Sequence, residues 1–422
     1  MAGTAILGGY DAIRSAQEDF YRDLHAHPEL SHHETRTAAE VVERLTKWGF
    51  QVHGGIGGTG VVGVLSGTGA GDGDPTVLLR ADMDALPVRE ATGVDYASTV
   101  ETTSDAGEVT PVMHACGHDI HVACLLGAAQ LFSMTRDAWH GTLVVLFQPA
   151  EETGDGAQGM VNDGLLSQIP APDVALGQHV LPGPSGHVGT RVGPVLSAAD
   201  SMRVTVFGRG GHGSMPQNTI DPVVLAAMIV VRLQTVIARE VAPTEAAVLT
   251  VGSMHAGQKS NIIPDQATLE LNMRTYTEAT RAHLVDAVTR IVRAECAASA
   301  CERDPEFEVF DSFPLTVNDQ ATTDKVAAAF GQHFGDRAVE LDLQTASEDF
   351  SDVPRAAGIP YSYWGIGGTD PQAWAAAVAA GTVHSAIAAN HSPLFLPVIQ
   401  PTLQTGTEAL IVAASAWLAA SD

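Results

Sequence analysis

The chain has 422 residues, of which 45% are hydrophobic and 17% are charged, enough for two domains that each have a core of their own. Asp and Glu number 49 against 22 Lys and Arg, so the formal net charge is −27 at pH 7. A chain this acidic argues against nucleic acids and anionic membranes as partners, and we interpret the charge as a means of staying soluble.

The first residues of the chain and its cysteines lead us to expect a cytoplasmic protein. The first seven residues lack the basic start and the long apolar stretch of a signal peptide. No run of about 18 apolar residues free of charges predicts a membrane span. The cysteines form no CxxC framework, so we expect reduced thiols. They are Cys116, Cys124, Cys296 and Cys301.

Apolar residues at helical spacing predict helices over residues 10–26 and 35–49. Between them lie four histidines, His25, His27, His32 and His33. Pro28 makes this segment a connection, and metal ligands usually converge from several elements. We therefore expect these histidines to be solvated or locally hydrogen-bonded.

Residues 58–63 match the GxGxxG pattern of dinucleotide-binding sites, and Asp82 follows at a suitable spacing. In such sites the glycines close a strand and open a helix. Here they lead into residues 61–65, which read as a strand. The context therefore argues against a nucleotide site.

Polar residues follow a predicted strand over residues 76–80. Asp82 and Asp84 are two positions apart, so at a strand end they face the same side. They could bind a metal, orient a histidine that does, or belong to a polar loop.

The segment from Met113 to His121 contains Cys116 and His118. In an extended segment, side chains two positions apart point to one side, so both could face one metal. Sulfur with imidazole nitrogen suits zinc or a similar metal, although a buried cysteine often serves only as a small apolar residue. The apolar run 120–132 predicts a buried helix that begins near Asp119.

Further candidate ligands follow other predicted strands. Glu151 and Glu152 come after the apolar strand 141–147, and crowded carboxylates are costly unless cations hold them. One could bind metal while the other accepts a proton from water. A strand over 173–179 delivers His179, and His391 lies in a turn. An open α/β sheet offers this arrangement to a ligand.

Residues 200–312 are predicted to form a separate unit. Strands over 202–207, 247–251, 266–272 and 306–310 alternate with helices over 222–240 and 278–297 in the order βαββαβ, the ferredoxin-like unit. This unit carries His212, Asn261 and Arg274, which suit a substrate carboxylate or oxyanion but could equally be turn or surface residues. A helix over 319–334, a strand over 361–364 and a helix after Pro401 complete the chain.

With these positions in view, the sequence resembles the dinuclear-metal amidohydrolases of the aminoacylase and carboxypeptidase superfamily. The resemblance is greatest to the branch of hippurate hydrolase, auxin-conjugate hydrolases and N-acyl-amino-acid amidohydrolases. The stretches that carry it span nearly the whole chain: HAHPELSHHE, RADMDALP, MHACGHDIHVA, FQPAEETGDGA, GQHV, GRGGHGSMP, NIIPDQATLELNMRT, ASEDF and NHSPLF.

The resemblance implies an α/β fold with a large catalytic domain, a mixed sheet flanked by helices. It implies that this domain is discontinuous, over 1–198 and 313–422, and that 199–312 form an inserted ferredoxin-like lid and dimerisation domain. A homodimer or tetramer through the lid is therefore expected.

The site residues are carried over by position. Many relatives outside this branch have a His-x-Asp pair where this chain has Asp82 and Asp84, so the ligand set of the branch is the one expected here. The implied ligands of two divalent ions (zinc, manganese, cobalt or nickel) are Cys116, His118, Glu152, His179 and His391. Glu151 is the implied general base and acid, and Asp84 is expected to orient a ligand. His212 is implied to stabilise the oxyanion in the partner's active site, and Asn261 and Arg274 to hold the substrate carboxylate.

The implied reaction is hydrolysis of the amide bond of N-acyl or N-aroyl amino acids. Two cations lower the pKa of a bridging water, Glu151 takes its proton, and the hydroxide attacks the amide carbonyl. The products are a carboxylic acid and a free amino acid. A dipeptidase or carboxypeptidase with the same site, and a non-catalytic binding protein on this scaffold, are the alternatives.

Overall fold

The computed structural model describes residues 2–71, 73–103, 107 and 109–419. Its α-helices are α1 (Ala2–Leu7), α2 (Tyr10–Ala26), α3 (Thr35–Lys47), α4 (His118–Met134), α5 (Gly156–Asn162), α6 (Leu165–Gln168), α7 (Pro222–Arg239), α8 (Glu278–Ala298), α9 (Gln320–Phe334), α10 (Asp352–Ala357), α11 (Pro371–Ala380), α12 (Val383–Ala386) and α13 (Ile399–Leu418).

Its strands are β1 (Gln51–Ile56), β2 (Gly60–Ser66), β3 (Thr76–Asp82), β4 (Glu101–Thr103), β5 (Val109–Pro111), β6 (Thr142–Gln148), β7 (Val174–Pro184), β8 (Val188–Thr190), β9 (Gly193–Leu196), β10 (Ala198–Phe207), β11 (Gly211–His212), β12 (Ala247–Ala256), β13 (Ile262–Ile263), β14 (Gln266–Thr275), β15 (Glu306–Phe313), β16 (Thr316–Asn318), β17 (Ala338–Glu340) and β18 (Tyr361–Thr369).

The chain divides into two units. Unit 1 comprises residues 1–195, 317–343 and 349–422, and unit 2 comprises 196–316 and 344–348. Unit 2 therefore interrupts unit 1 in the sequence.

Unit 1 is built on an eight-stranded mixed sheet in the order β1-β2-β6-β3-β7-β18-β8-β17. The central pairs β6/β3, β3/β7 and β7/β18 are parallel, whereas β1/β2, β2/β6 and β18/β8 are antiparallel. Strands β3 and β6 are almost fully buried, which explains their continuous apolar runs. The predicted mixed sheet flanked by helices is confirmed.

Helix α4 is the core of unit 1. It contacts α2, α13 and β3, and nearly all its residues are buried. A helix covered on nearly every side needs no continuous polar face, so the run 120–132 is apolar except at His121 and Gln130. The predicted buried helix is confirmed, and it begins at His118.

Unit 2 contains a four-stranded antiparallel sheet in the order β12-β14-β10-β15. Helices α7 and α8 pack against this sheet around a second apolar core. Asp221 caps α7 by accepting from the N–H groups of Val223 and Val224, with Pro222 as the first helical residue. Thr277 caps α8 in the same way.

Helix α7 is long and apolar enough, by length and composition alone, to cross a membrane. Its buried residues, among them Leu225, Ile229 and Leu233, form part of the apolar core of unit 2. It is therefore built as a core helix, and its outer face carries Val224, Met228 and Val231.

Candidate metal centre

The centre lies where the central strands of unit 1 end. Asp82 is the last residue of β3, Glu151 and Glu152 follow β6, and His179 lies on β7. These strands are neighbours and parallel, so their carboxyl ends meet at one edge of the sheet. Strand β7 continues to Pro184, so the prediction that His179 ends its strand is wrong.

Cys116 and His118 are brought together by a turn. Gly117 adopts φ +83° and precedes His118, the first residue of α4. A Cβ at Gly117 would lie 2.4 Å from Cγ1 of Val180, so only glycine fits this approach to β7. The expectation of an extended segment is wrong, although both side chains do face one cluster.

Six side chains form this cluster, which we call the metal centre. Their ligand atoms fall into overlapping groups in which every atom lies within 4.8 Å of the others. The groups are Cys116, His118 and His179; Cys116, Glu152 and His391; and His118, Glu151 and Glu152. All five predicted ligands and the predicted proton carrier are therefore neighbours.

The distances within the centre are short. Sγ of Cys116 lies 3.4 Å from Nε2 of His179, and Nε2 of His391 lies 3.3 Å from Oε2 of Glu152. Nε2 of His118 lies 3.8 Å from Glu151 and 3.9 Å from Glu152.

The donor set fits divalent metal ions. Among the described residues, Nε2 of His118 and Oε1 of Glu152 are buried without a hydrogen-bond partner, a costly state that a cation would relieve. Thiol sulfur, imidazole nitrogen and carboxylate oxygen together suit zinc and its neighbours in the first transition series.

Asp84 orients two members of the centre. Its Oδ1 lies 3.2 Å from Nδ1 of His118, which leaves Nε2 of that ring facing the cluster. Its Oδ2 accepts from the hydroxyl of Ser31 at 2.7 Å and from the N–H of Glu152 at 3.0 Å. Burial opposes ionisation of Asp84, but the contacts with His118, the N–H of Glu152 and Ser31 together outweigh it and lower the pKa of the carboxyl.

A second group, Asp82, His118 and His121, also has metal-like spacing. Nε2 of His121 accepts the N–H of Val180 at 2.8 Å, so it carries no proton. Nδ1 therefore carries the proton and donates to Asp82 at 2.5 Å. Both nitrogens of His121 are occupied, and Oδ2 of Asp82 accepts from the buried Arg80 at 2.6 Å. These contacts make Asp82 and His121 supports for β3 and β7.

The charges around the centre favour a cation. Burial, together with Glu152 and Glu151, raises the pKa of the Cys116 thiol well above its ordinary value. Burial disfavours the charged form of His118, yet Asp82 and Asp84 raise its pKa to about 10. Burial depresses the pKa of His179. A bound divalent ion would stabilise the thiolate that these carboxylates disfavour.

Asn390 connects the segments that carry three candidate ligands. Its amide donates to the carbonyl oxygens of Cys116 and Val180, each at 3.2 Å, and lies 3.7 Å from Sγ of Cys116. The next residue, His391, has φ +70° and donates its N–H to Ala115 at 2.8 Å.

Sequence reasoning missed Asn390, His121 and Arg80. The sequence did contain a signal for His121, because it lies three positions after His118 and residues three apart on a helix share one face. No pattern marks the other two, since their partners come from distant segments.

The remaining predicted site residues lie in unit 2. His212 is on β11, paired with Ile262 of β13, and the N–H of Gly213 donates to the carbonyl of Asn261 at 2.9 Å. His212 and Asn261 are therefore neighbours on one exposed ribbon.

Arg274 lies on β14 and donates to the carbonyl of Thr345 at 2.9 Å and the hydroxyl of Ser347 at 3.1 Å. Its guanidinium is therefore held by the segment 344–348 of its own unit.

The fold and the centre together define a class of protein, the metal-dependent hydrolases that work at the edge of an α/β sheet. The chain belongs to Peptidase family M20/M25/M40, which it matches over residues 78–385. It is therefore an amidohydrolase, and the resemblance seen in the sequence is confirmed.

Named relatives cover most of the chain. Thermostable carboxypeptidase 2 of Saccharolobus solfataricus is 37% identical over 348 residues, 82% of this chain and 84% of that protein. Hippurate hydrolase of Campylobacter jejuni subsp. jejuni is 36% identical over 338 residues, 79% of this chain and 83% of that protein. N-acetyl-L-cysteine deacetylase of Bacillus subtilis is 36% identical over 331 residues, 78% of this chain and 75% of that protein.

Solved structures share the fold. A protein of methicillin-resistant Staphylococcus aureus superposes with a TM-score of 0.83 at 30% identity, covering 98% of both chains. The Bacillus subtilis YXEP protein, a dinuclear metal-binding peptidase of the M20 family, superposes with a TM-score of 0.75 at 27% identity. That match covers 96% of this chain and 98% of the other.

Proposed function

We propose that the protein hydrolyses the amide bond of N-acyl or N-aroyl amino acids and releases a carboxylic acid and a free amino acid. The observation that carries this proposal is the pair Glu151 and Glu152 beside a thiol and three imidazoles at the carboxyl edge of the sheet. The names of the relatives, hippurate hydrolase and N-acetyl-L-cysteine deacetylase among them, support the substrate class.

Two divalent ions, zinc, manganese, cobalt or nickel, would be held by five side chains: Cys116, His118, Glu152, His179 and His391. Such ions lower the pKa of a water molecule and polarise an amide carbonyl. Asp84 keeps His118 and the backbone of Glu152 in position for this task.

Glu151 is the proton carrier in this proposal. Glu151 is 5% exposed and lies next to the proposed ligand Glu152, so it can accept a proton from water at the centre. It then returns the proton to the nitrogen of the leaving amino acid, which makes the amine a better leaving group.

Unit 2 would supply the substrate contacts. Asn261 and Arg274 offer donors for the substrate carboxylate, because an amide and a guanidinium both bind a carboxylate well. His212 would stabilise the oxyanion, in the partner's active site within a dimer.

We also propose that unit 2 forms a homodimer, or a tetramer, and that the enzyme works in the cytoplasm. Strand β12 is an edge of the four-stranded sheet and carries the exposed Val248 and Met254. Helix α7 packs beside this strand, and its outer face is apolar and exposed. An unpaired edge next to an apolar face is a surface that a second copy can cover.

Glu151→Gln tests the proton carrier. We expect kcat to fall about 10²–10⁴-fold, because general acid–base catalysis contributes that much. Metal content by elemental analysis should match the wild type, since Glu152 and the other ligands remain. The control Glu152→Gln should lose metal as well as turnover. A Glu151→Gln enzyme with full kcat would exclude Glu151 from this role.

The second candidate is a dipeptidase or carboxypeptidase, favoured by the relative named thermostable carboxypeptidase 2. A panel of benzoyl-, acetyl- and aminoacyl-amino acids separates the two. Higher kcat/KM on substrates with a free α-amine would favour the dipeptidase. Full metal loading without turnover of any amide would indicate a binding protein.

A further inference from the structure

A strained residue precedes the proposed proton carrier. Ala150 adopts φ +51°, a left-handed conformation that is costly for any residue with a Cβ. Among the described residues other than glycine, positive φ also occurs at His32, Ala300 and His391. Such a conformation persists only where the surroundings hold it.

One carboxylate holds two of these residues. Oε1 of Glu34 accepts the N–H of Ala150 at 2.8 Å and the N–H of His32 at 3.0 Å. Its Oε2 accepts from the hydroxyl of Thr59 at 2.5 Å. Glu34 is 0% exposed, so water does not compete for these hydrogen bonds.

Two further amides in residues 150–157 are also held by buried carboxylates. Asp84 accepts from the N–H of Glu152, and Asp349 accepts from the N–H of Ala157 at 2.9 Å. Glu34 therefore holds Ala150, the first residue of the turn, whose conformation sets the direction of Glu151.

Glu34 is not needed to cap its own helix. It occupies the N-cap position of α3 but makes no capping hydrogen bond with its side chain. Glu29 accepts from the N–H groups of Arg36 and Thr37 instead, each at 2.8 Å. The buried carboxylate of Glu34 thus serves the turn before Glu151 rather than the first turn of α3.

We propose that Glu34 is a positioning residue for Glu151: by binding the N–H of Ala150 it holds the left-handed turn that directs Glu151 into the metal centre. This inference rests on the proposed role of Glu151 as proton carrier. The inference gives the segment 25–34 a role in the reaction, whereas the sequence alone indicated only a connection between two helices.

The central test compares Glu34→Ala with Glu34→Gln. The alanine variant frees Ala150, and we expect kcat to fall about 100-fold, the cost of misplacing a catalytic group by about 1 Å. KM should stay within about twofold, because substrate contacts come from elsewhere. Metal content should be unchanged. Glutamine keeps an oxygen for the N–H of Ala150, so its kcat should remain within about threefold of the wild type.

Ala150→Gly provides an independent check. Glycine adopts positive φ without strain, so this change should raise kcat about fivefold in the Glu34→Ala background and leave the wild type nearly unaltered. Glu29→Ala is the matched control from the same segment. It removes the cap of α3 and should lower thermal stability without lowering kcat.

Hydrogen exchange separates this inference from the proposed function. The amides of residues 150–152 should exchange faster in Glu34→Ala than in the wild type or Glu34→Gln, whatever the substrate. If the wild type turned over no N-acyl amino acid, the proposed function would fail while this comparison still decided the positioning role.

Three results would overturn the inference. They are full kcat in Glu34→Ala, loss of metal in step with kcat, and unchanged exchange at residues 150–152. If Glu34→Ala fails to fold, Glu34→Asp replaces it in the test. Aspartate keeps the negative charge, but its shorter side chain moves the carboxylate oxygens away from the N–H of Ala150. Full kcat in a metal-loaded Glu34→Asp enzyme would contradict the inference, and a drop in kcat with full metal would support it.

Discussion

His25 lies between two buried carboxylates of unit 1. Its Nδ1 is 2.6 Å from Asp119 and its Nε2 is 3.1 Å from Glu90. Burial disfavours the imidazolium, but the hydrogen bonds to Asp119 and Glu90 outweigh it and raise the pKa from 6.5 to about 9. Local hydrogen bonding was the expectation for this residue, and the charged triad also joins α2 to the start of α4.

The raised pKa of His25 predicts a pH dependence of stability. The stabilisation is complete below pH 6.5 and is lost as pH rises through about 9, since the unfolded chain releases the proton first. The shift corresponds to roughly 3 kcal/mol.

We therefore expect His25→Gln to lower the free energy of unfolding by about 3–5 kcal/mol at pH 6.5, because it leaves two buried carboxylates unpaired. Urea unfolding should show that the difference in unfolding free energy between the wild type and His25→Gln becomes smaller toward pH 9.5. As a control, His27→Gln at an exposed position should leave the free energy of unfolding unchanged. A His25→Gln gap that stays constant with pH would contradict the assignment.

At the scale of elements, apolar runs were sufficient to predict β3, β6, β7 and α4. Their order in the sheet could not be predicted, because β2-β6-β3-β7 follows from pairings between segments far apart in sequence. The conformations of the turns also could not be predicted from the pattern of the sequence. Gly117 at φ +83° and Ala150 at φ +51° direct Cys116 and Glu151. A glycine permits positive φ without requiring it, and an alanine gives no sign of it.

The side chains of the metal centre are likewise brought together by contacts between segments that are far apart in sequence. Cys116, Glu152 and His391 come from three distant parts of the chain. They meet because β6 brings Glu152 to the edge of the sheet and Asn390, next to His391, donates to the carbonyls of Cys116 and Val180. Their positions after predicted strands or in a turn marked Glu152 and His391 only as candidates, and the resemblance to a family assigned them as ligands. His212, Asn261 and Arg274 remain predictions for substrate binding.

Close helix packing gives a prediction at this scale. A Cβ at Gly406 in α13 would lie 2.6 Å from Sγ of Cys124 in α4 and 2.9 Å from Ile366 in β18. Gly406→Ala should therefore cost about 1–3 kcal/mol through overpacking. Gly331 in α9 has no atom within 4 Å of such a Cβ, so Gly331→Ala should stabilise by about 0.5–1 kcal/mol.

Urea unfolding of the two alanine variants measures both effects against the wild type. Opposite signs are expected from the same chemical change. Equal effects would mean that helix propensity, and not the contact between α13 and α4, sets the result at Gly406.

For the whole molecule, the net charge of −27 opposes association of two copies, so any stable interface needs apolar area to offset it. Unit 2 offers such area. Val224, Met228 and Val231 lie exposed on α7, and Val248 and Met254 lie exposed on the edge strand β12. Pairing two β12 edges would also satisfy their free backbone groups.

Val231→Glu tests this surface. Val231 is 66% exposed, so the change should leave the fold of a single chain intact while burying a charge in the proposed interface. We expect light scattering after size-exclusion chromatography to give the mass of one chain for this variant and a multiple of it for the wild type. Turnover should fall with dissociation if His212 serves the partner's site. Val378→Glu on α11, at a residue that is 54% exposed in unit 1, is the matched control and should keep the wild-type mass and turnover. An unchanged mass for Val231→Glu would show that copies associate through another surface.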